Sequence, residues 1–222
     1  MKTAGKVICI ELDTRMIQIL QDRFSMYNNF ELINDDVLKV DLKRLIKENK
    51  KDKIKAVKIV ANLPYYITTP IIMKLLEERL EIESITVMVQ KEVADRLVAR
   101  PGEKNSGAIT CSISYFADAE KVLEVPSTSF MPAPEVNSSV IKLNILKEPS
   151  VKVKNEEMLF KVIKLAFAQK RKTLLNALTN GNLASKEEVE KMLTALNLDP
   201  KIRGEKLSLQ DFANIADYMQ ER

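Results

Sequence analysis

Residues 57–66 read Val57-Lys58-Ile59-Val60-Ala61-Asn62-Leu63-Pro64-Tyr65-Tyr66. The run Val57–Ala61 is short, apolar and β-branched, as a strand inside a parallel sheet is. Pro64 cannot continue a ladder, and Leu63, preceding it, is biased away from helix. The strand therefore ends on Asn62, and a rigid turn carries its last carbonyls. Working outward, the same kind of strand appears at Lys6–Leu12 (KVICIEL), Phe30–Asn34 (FELIN) and Ser84–Val89 (SITVMV).

Helical patterns lie between these strands. Asp13 is placed to cap a helix whose apolar face is Met16, Ile17, Ile19 and Leu20. A second helix spans Asp41–Asn49 with Leu42, Leu45 and Ile46. Pro70 opens a third through Ile71, Leu75 and Leu76, and Val93–Arg100 is a fourth, broken by Pro101-Gly102. Strand-helix alternation predicts an α/β fold with a parallel, doubly wound sheet and helices on both faces. The rhythm changes after Gly107. Ile109–Phe116 has no clean period and reads as helix or strand. Val122–Val125 and Ser139–Ile145 predict an antiparallel pair at the sheet edge. From Asn155 onward the pattern is helical: Leu159, Val162, Ile163, Ala166 and Phe167 share a face, then come Leu174, Leu175 and Leu178, then 189–196 and 212–219. Pro149 and Ser150 mark a linker, so the expected domains are 1–148 and 149–222, the second small and helical.

Composition narrows the chemistry. The chain has 222 residues, no histidine and five glycines, where average usage would give about fifteen. No two glycines form G-x-G, so a glycine-rich phosphate loop is absent from this sequence. Without histidine, His-dependent triads, zincin sites and the zinc deaminase motif are excluded. The net charge of +4 permits a nucleic-acid partner without requiring one. Basic residues cluster over 43–58, where a solvated helix face is the simple reading. They cluster again at Lys161, Lys164, Lys170, Arg171 and Lys172, where adjacent basic residues after an apolar helix suggest phosphate contact. Cys9 and Cys111 are isolated and apolar in surroundings, which predicts reduced thiols, no metal site and a cytoplasmic setting. There is no signal-peptide pattern and no run long enough to span a membrane.

Ligands of doubly wound sheets sit beyond the C-terminal ends of the strands. Glu11 ends one strand and can accept hydrogen bonds from ribose hydroxyls, or simply cap the next helix. Asp36 follows another and can accept from an adenine amine, or start a turn. Asn62 brings an amide acceptor and Tyr65 a flat face for a base. Acceptors converging on an exocyclic amine beside an aromatic platform suit chemistry on a nucleobase amino group.

Asn62-Leu63-Pro64-Tyr65 resembles the signature of S-adenosylmethionine-dependent rRNA adenine N6-methyltransferases, and more narrowly of the small-subunit rRNA dimethyladenosine transferases. The likeness extends along the chain. It includes Gln90–Leu97 (QKEVADRL), Phe130–Ser138 (FMPAPEVNS, the Phe-x-Pro-x-Pro-x-Val-x-Ser form), Phe167–Leu174 (FAQKRKTL) and Arg203–Ser208 (RGEKLS). The resemblance implies a Rossmann-like methyltransferase sheet with a small C-terminal helical domain. It implies transfer of methyl groups from S-adenosylmethionine to N6 of two adjacent adenosines near the 3′ end of small-subunit rRNA. By motif position, Glu11 would hold the cofactor ribose and Asp36 its adenine, with Asn62 also at the cofactor. Asn62, Leu63, Pro64 and Tyr65 would form the catalytic loop, Tyr65 and Phe130 would sandwich the flipped base, and Lys170, Arg171 and Lys172 would hold RNA. No metal is implied, and the protein is expected to be a monomer acting on the assembling ribosomal subunit.

Two other readings compete: a large-subunit rRNA adenine methyltransferase of the antibiotic-resistance type, and a catalytically impaired RNA-binding assembly factor. The latter is prompted by a departure from the family pattern. Family members carry a strand and a glycine-rich loop ahead of the strand at Lys6–Leu12, and this sequence starts just before it. A truncated gene or a late start accounts for that. The expectation is that the Lys6–Leu12 and Val57–Ala61 strands lack their shared neighbour, and that this chain binds S-adenosylmethionine poorly.

Overall fold

A computed structural model of the chain describes residues 3–50, 56–169 and 171–220. They fall into two units. One comprises Met1–Val57 and Tyr66–Glu83, the other Lys58–Tyr65 and Ser84–Arg222.

In the first unit, strand β1 (Val7–Glu11) pairs in parallel with β2 (Phe30–Asn34), in a register that sets Glu11 opposite Asn34. Helix α1 (Thr14–Phe24) connects them and is capped as expected, the Asp13 carboxylate accepting from the Arg15 N–H at 2.9 Å. Its apolar face is narrower than the sequence suggested: Ile17 and Leu20 are half-buried, but Met16 and Ile19 are exposed. The inward stripe runs Ile17, Leu20, Phe24, at i, i+3, i+7 spacing, and ends where Phe24 meets Phe30 with ring centroids 5.0 Å apart. Helix α2 (Leu42–Asn49) is capped by Asp41 and buries Leu42. Its basic residues are a solvated face: Lys43 and Lys47 are exposed, Arg44 pairs with Glu48, and Lys50 with Glu81; Lys51, Lys53 and Lys55 lie outside the described residues. Helix α3 (Thr68–Glu77) starts two residues before Pro70 and buries Ile71, Ile72, Leu75 and Leu76. Proline within the first turn sacrifices no intrahelical bond.

The second unit holds a four-stranded sheet in the order β3-β4-β6-β5. Strands β3 (Lys58–Asn62) and β4 (Ser84–Gln90) are parallel, while β6 (Ser138–Ile145) is antiparallel to both β4 and β5 (Ala117–Val125). The expected antiparallel edge is present. Among the described residues the strands form two sheets: β1 pairs with β2, and β3 pairs with β4. On β4, Ile85, Val87 and Val89 are buried, and on β6, Ile141 and Leu143 are. Helix α4 (Lys91–Val98) covers β5 and β6 with Ala94 and Leu97. Residues Ala108–Phe116 are helix, α5, rather than strand. It buries residues around most of its circumference, which is why it shows no period.

The helical remainder is one packed group. Helix α6 (Glu156–Ala168) contacts α5, α7 (Leu174–Asn180), α9 (Leu209–Gln220) and the short turn Gly204–Lys206, and α7 contacts α8 (Lys186–Ala195). Leu159, Val162, Ile163, Leu174, Leu178, Met192 and Phe212 are wholly or almost wholly buried. Each such side chain contributes about 1.5–3 kcal/mol of apolar burial.

Candidate active site

Asn62 is the last residue of β3, opposite Met88 of β4, and its side chain is exposed. Among the described residues its amide has no protein hydrogen-bond partner. Leu63 turns inward, 5% exposed, with its N–H donating to the Met88 carbonyl at 3.3 Å. That bond extends the ladder one step past the strand and fixes the peptide plane between Asn62 and Leu63; the Leu63 carbonyl follows in the next peptide unit, to Pro64. Pro64 then ends the pairing, and Tyr65 opens a short 3-10 turn, Tyr65–Ile67. Tyr65 is 40% exposed, and its hydroxyl lies 3.1 Å from Ser138 Oγ. A half-exposed tyrosine tethered at its phenol end is suited to stacking on a base.

Phe130 is half-buried and follows a 3-10 turn over Ser127–Ser129. The loop bearing it is closed by Asn137, whose side-chain oxygen accepts from the Ser127 N–H at 3.0 Å and whose carbonyl accepts from the Lys91 N–H at 3.0 Å. At its root lies a charge cluster: Lys91 with Glu124 at 2.9 Å, and Lys121 with Asp95 at 2.5 Å and Glu124 at 3.3 Å.

Glu11 and Asp36 both lie at the C-terminal end of the β1-β2 pair, in the first unit. One Glu11 carboxylate oxygen accepts from the Asp13 N–H at 2.8 Å, and one Asp36 oxygen accepts from the Leu38 N–H at 2.9 Å. Asp36 thus starts a turn, as the sequence allowed, while Glu11 bonds the N–H of Asp13, which is itself the cap of α1. Each also keeps a second carboxylate oxygen with no protein donor among the described residues. A half-buried carboxylate with one oxygen committed and one open is chemically suited to a ribose diol or an exocyclic amine. The structure therefore groups Glu11 with Asp36 in one unit, and Asn62, Leu63, Pro64, Tyr65 and Phe130 in the other.

Arg171 and Lys172 are exposed in the turn between α6 and α7, where the Lys172 N–H donates to the Gln169 carbonyl at 2.9 Å. Lys170 lies outside the described residues. Lys161 and Lys164 are exposed on α6.

The surroundings of both thiols disfavour the thiolate. Burial, with help from Glu11, pushes the Cys9 thiol up, and burial pushes Cys111 up to about 12. Among the described residues no group of three His, Cys, Asp or Glu side chains could hold a metal ion. No helix among them is long and apolar enough to cross a membrane.

A family signature described as "Ribosomal RNA adenine dimethylase" matches residues 1–221. The chain belongs to the ribosomal RNA adenine dimethylase family. Its members are methyltransferases, so the sites above belong to an enzyme fold. Among curated dimethylase relatives, "Ribosomal RNA small subunit methyltransferase A" of Geobacillus sp. (strain WCH70) is 47% identical over 222 residues, covering 99% of this chain and 76% of that protein. The protein of the same name in Lachnoclostridium phytofermentans is 48% identical over 224 residues, covering 100% of this chain and 77% of that protein. Among solved structures, a dimethyladenosine transferase from Plasmodium falciparum superposes with a TM-score of 0.75 at 28% identity, over 96% of this chain and 81% of that one. The 23S rRNA methyltransferase ErmE shares the fold, with a TM-score of 0.66 at 21% identity over 98% of this chain and 83% of that one. The dimethylase fold is thus the Rossmann-like methyltransferase α/β fold read from the sequence.

Sequence reasoning missed two residues beside this loop, Asn137 and Ser138. Both lie inside the Phe-x-Pro-x-Pro-x-Val-x-Ser stretch. Their contacts depend on the antiparallel register that sets Ser138 opposite Gln90, the residue before α4, and no local pattern reports that register.

Proposed function

We propose that this chain transfers methyl groups from S-adenosylmethionine to N6 of two adjacent adenosines near the 3′ end of small-subunit rRNA, during ribosome assembly. The observation that carries the reading is the loop ending β3: an exposed Asn62 amide, without a protein partner among the described residues, beside a tethered, half-exposed Tyr65. The small-subunit substrate is favoured over the large-subunit one by the names of relatives at 47–48% identity.

S-Adenosylmethionine, when bound, supplies a methyl group on a sulfonium that is already a good leaving group. The residues for it here are Glu11, toward the ribose, and Asp36, toward the adenine amine, with Asn62 also at the cofactor. The open carboxylate oxygens of the two acids fit that role.

The task left to the protein is the poor nucleophile. The adenine N6 lone pair is delocalised into the ring. The Asn62 amide oxygen and the Leu63 carbonyl would accept the two N6 hydrogens, favouring the pyramidal geometry needed for in-line attack. Tyr65 and Phe130 hold the base once it has left its stack, at a cost of a few kcal/mol. Rate enhancement then comes from positioning and fixed dipoles, with no strong base, consistent with a chain that has no histidine. Lys170, Arg171 and Lys172 contact the RNA backbone, as part of a helical RNA-binding domain at 149–222 that follows the methyltransferase domain at 1–148. The enzyme acts in the cytoplasm as a monomer.

The direct test is incubation of the chain with small ribosomal subunits lacking the modification, at labelled S-adenosylmethionine high enough to saturate the weak binding expected of this chain, followed by primer extension. Stops at two adjacent adenosines near the 3′ end are expected. Label confined to large-subunit RNA, or RNA binding without transfer, would overturn the assignment.

A further inference from the structure

The Tyr65 hydroxyl meets Ser138 Oγ at 3.1 Å, and Ser138 is fully buried at the start of β6. The next residue toward the N-terminus, Asn137, closes the loop that carries Phe130 through its bonds to the N–H groups of Ser127 and Lys91. Two consecutive residues therefore hold the two aromatic side chains assigned to the target base. Stacking by itself needs only a ring, which phenylalanine would supply. A phenol whose oxygen meets a buried hydroxyl has the far end of its ring axis anchored to the sheet instead of left in solvent. Ser138 is suited to this because it is locked in the β6 ladder on both sides, opposite Gln90 of β4 and Val125 of β5. A group held by rigid elements places its partner more accurately than one held by a loop, and misplacement of a reactive group by an ångström is costly to rate.

We propose that Asn137 and Ser138 are positioning residues for the target adenine: Ser138 anchors the ring of Tyr65 at its hydroxyl end, and Asn137 fixes the loop of Phe130. This rests on the reading that Tyr65 and Phe130 stack on the base, so the experiment separates the two. An RNA hairpin with 2-aminopurine at the target adenosine is titrated with the full chain, and fluorescence quenching reports stacking. Tyr65→Ala should abolish quenching; if it does not, the stacking role of Tyr65 fails, and with it the reading beneath this proposal.

With that established, Ser138→Ala should reduce the stacked population about threefold, as loss of one neutral hydrogen bond does, with RNA affinity unchanged. Tyr65→Phe should do the same, and the double variant Tyr65→Phe/Ser138→Ala no more than either. Quenching at the wild-type level in either single variant, or additive losses in the double, overturns the role of Ser138. Tyr65→Phe leaves the buried serine untouched, so it decides the point even where Ser138→Ala folds poorly. Asn137→Ala should lower kcat for methyl transfer with KM for RNA unchanged, and Asn137→Asp, which keeps the acceptor, should restore it. A rise in KM alone, or no rescue by aspartate, overturns the role of Asn137.

Discussion

Gly204 lies against Ala166, with no room for a side chain between them. A Cβ at residue 204 would come within 2.9 Å of both the Ala166 Cβ and the Ala166 carbonyl oxygen. The neighbour is largely helix backbone, which cannot rotate away as a side-chain tip would. Gly204→Ala should therefore force the Gly204–Lys206 turn off α6 and destabilise the fold by about 1–3 kcal/mol. Urea unfolding followed by circular dichroism measures this. A midpoint equal to that of the parent would show that the turn adjusts freely.

Thr110 gives a second stability prediction. Its hydroxyl is fully buried, donates to the Arg96 carbonyl at 2.7 Å and accepts from the Gly107 N–H at 2.9 Å. It joins the end of α4 to the start of α5. Thr110→Val is near in shape but leaves both backbone groups unpaired, at a cost of about 1–3 kcal/mol. Hydrogen exchange at the Gly107 amide should accelerate in the variant, and unaltered protection there would contradict the argument.

How far the sequence was informative varies with how local the cause is. The strand Phe30–Asn34 was legible to the residue because Asn28-Asn29 and Asp35-Asp36 bracket it with turn formers. The start of β5 was not. Its first half, Ala117-Asp118-Ala119-Glu120-Lys121, is made of poor strand formers, and it is a strand because β6 pairs with it, Ala117 opposite Ile145. Val122 falls at a register shift between Lys121 and Leu123, where an irregular ladder blurs the alternation that would announce the strand. The same contrast holds at the site. Asn62 and Tyr65 stood out because proline ends a strand between them. Ser138 could be placed beside Tyr65 only once the β4-β6 register was known.

Asn62→Ala tests the catalytic loop. Asn62 is exposed and its side chain has no protein partner among the described residues, so its removal should leave the fold intact. Removing one acceptor that acts on developing charge costs about 10²–10³ in kcat where comparable groups have been deleted. Methyl transfer should fall by at least that much while RNA affinity stays within twofold of the parent, about 0.4 kcal/mol. Undiminished dimethylation by primer extension would remove Asn62 from the mechanism.

A pH prediction follows from Asp13. The Arg15 guanidinium, bonded to this carboxylate at 2.6–3.2 Å, holds it down to about 2. In the unfolded chain an aspartate titrates near about 3.9. The folded value is the lower one, so the cap's contribution is complete above about pH 4 and is lost as pH falls through about 2. The stability gap between the parent and Asp13→Ala should be constant from neutral pH to about pH 4 and narrow below it. A gap that closes already by pH 5 would mean that Arg15 does not hold the carboxylate in solution.

Arg171 and Lys172 are exposed together in the turn after α6, and their proposed role is electrostatic. A residue that contacts phosphate through charge displaces counterions, so its loss shows in the salt dependence of binding as well as in the affinity. Each phosphate contact removed should flatten the plot of log K against log salt by about 1. The double variant Arg171→Ala/Lys172→Ala should therefore bind small-subunit RNA with a slope shallower by about 1.5–2, and with a deficit largest at low salt. Filter binding over a range of potassium chloride concentrations measures both. The same slope with a weaker intercept would point to a lost hydrogen bond or a fold change instead of lost phosphate contacts. Lys161→Ala offers the contrast, because Lys161 is exposed on α6 outside that turn. If it flattened the slope as much as the double variant does, the contact would be spread along α6 instead of centred on the turn.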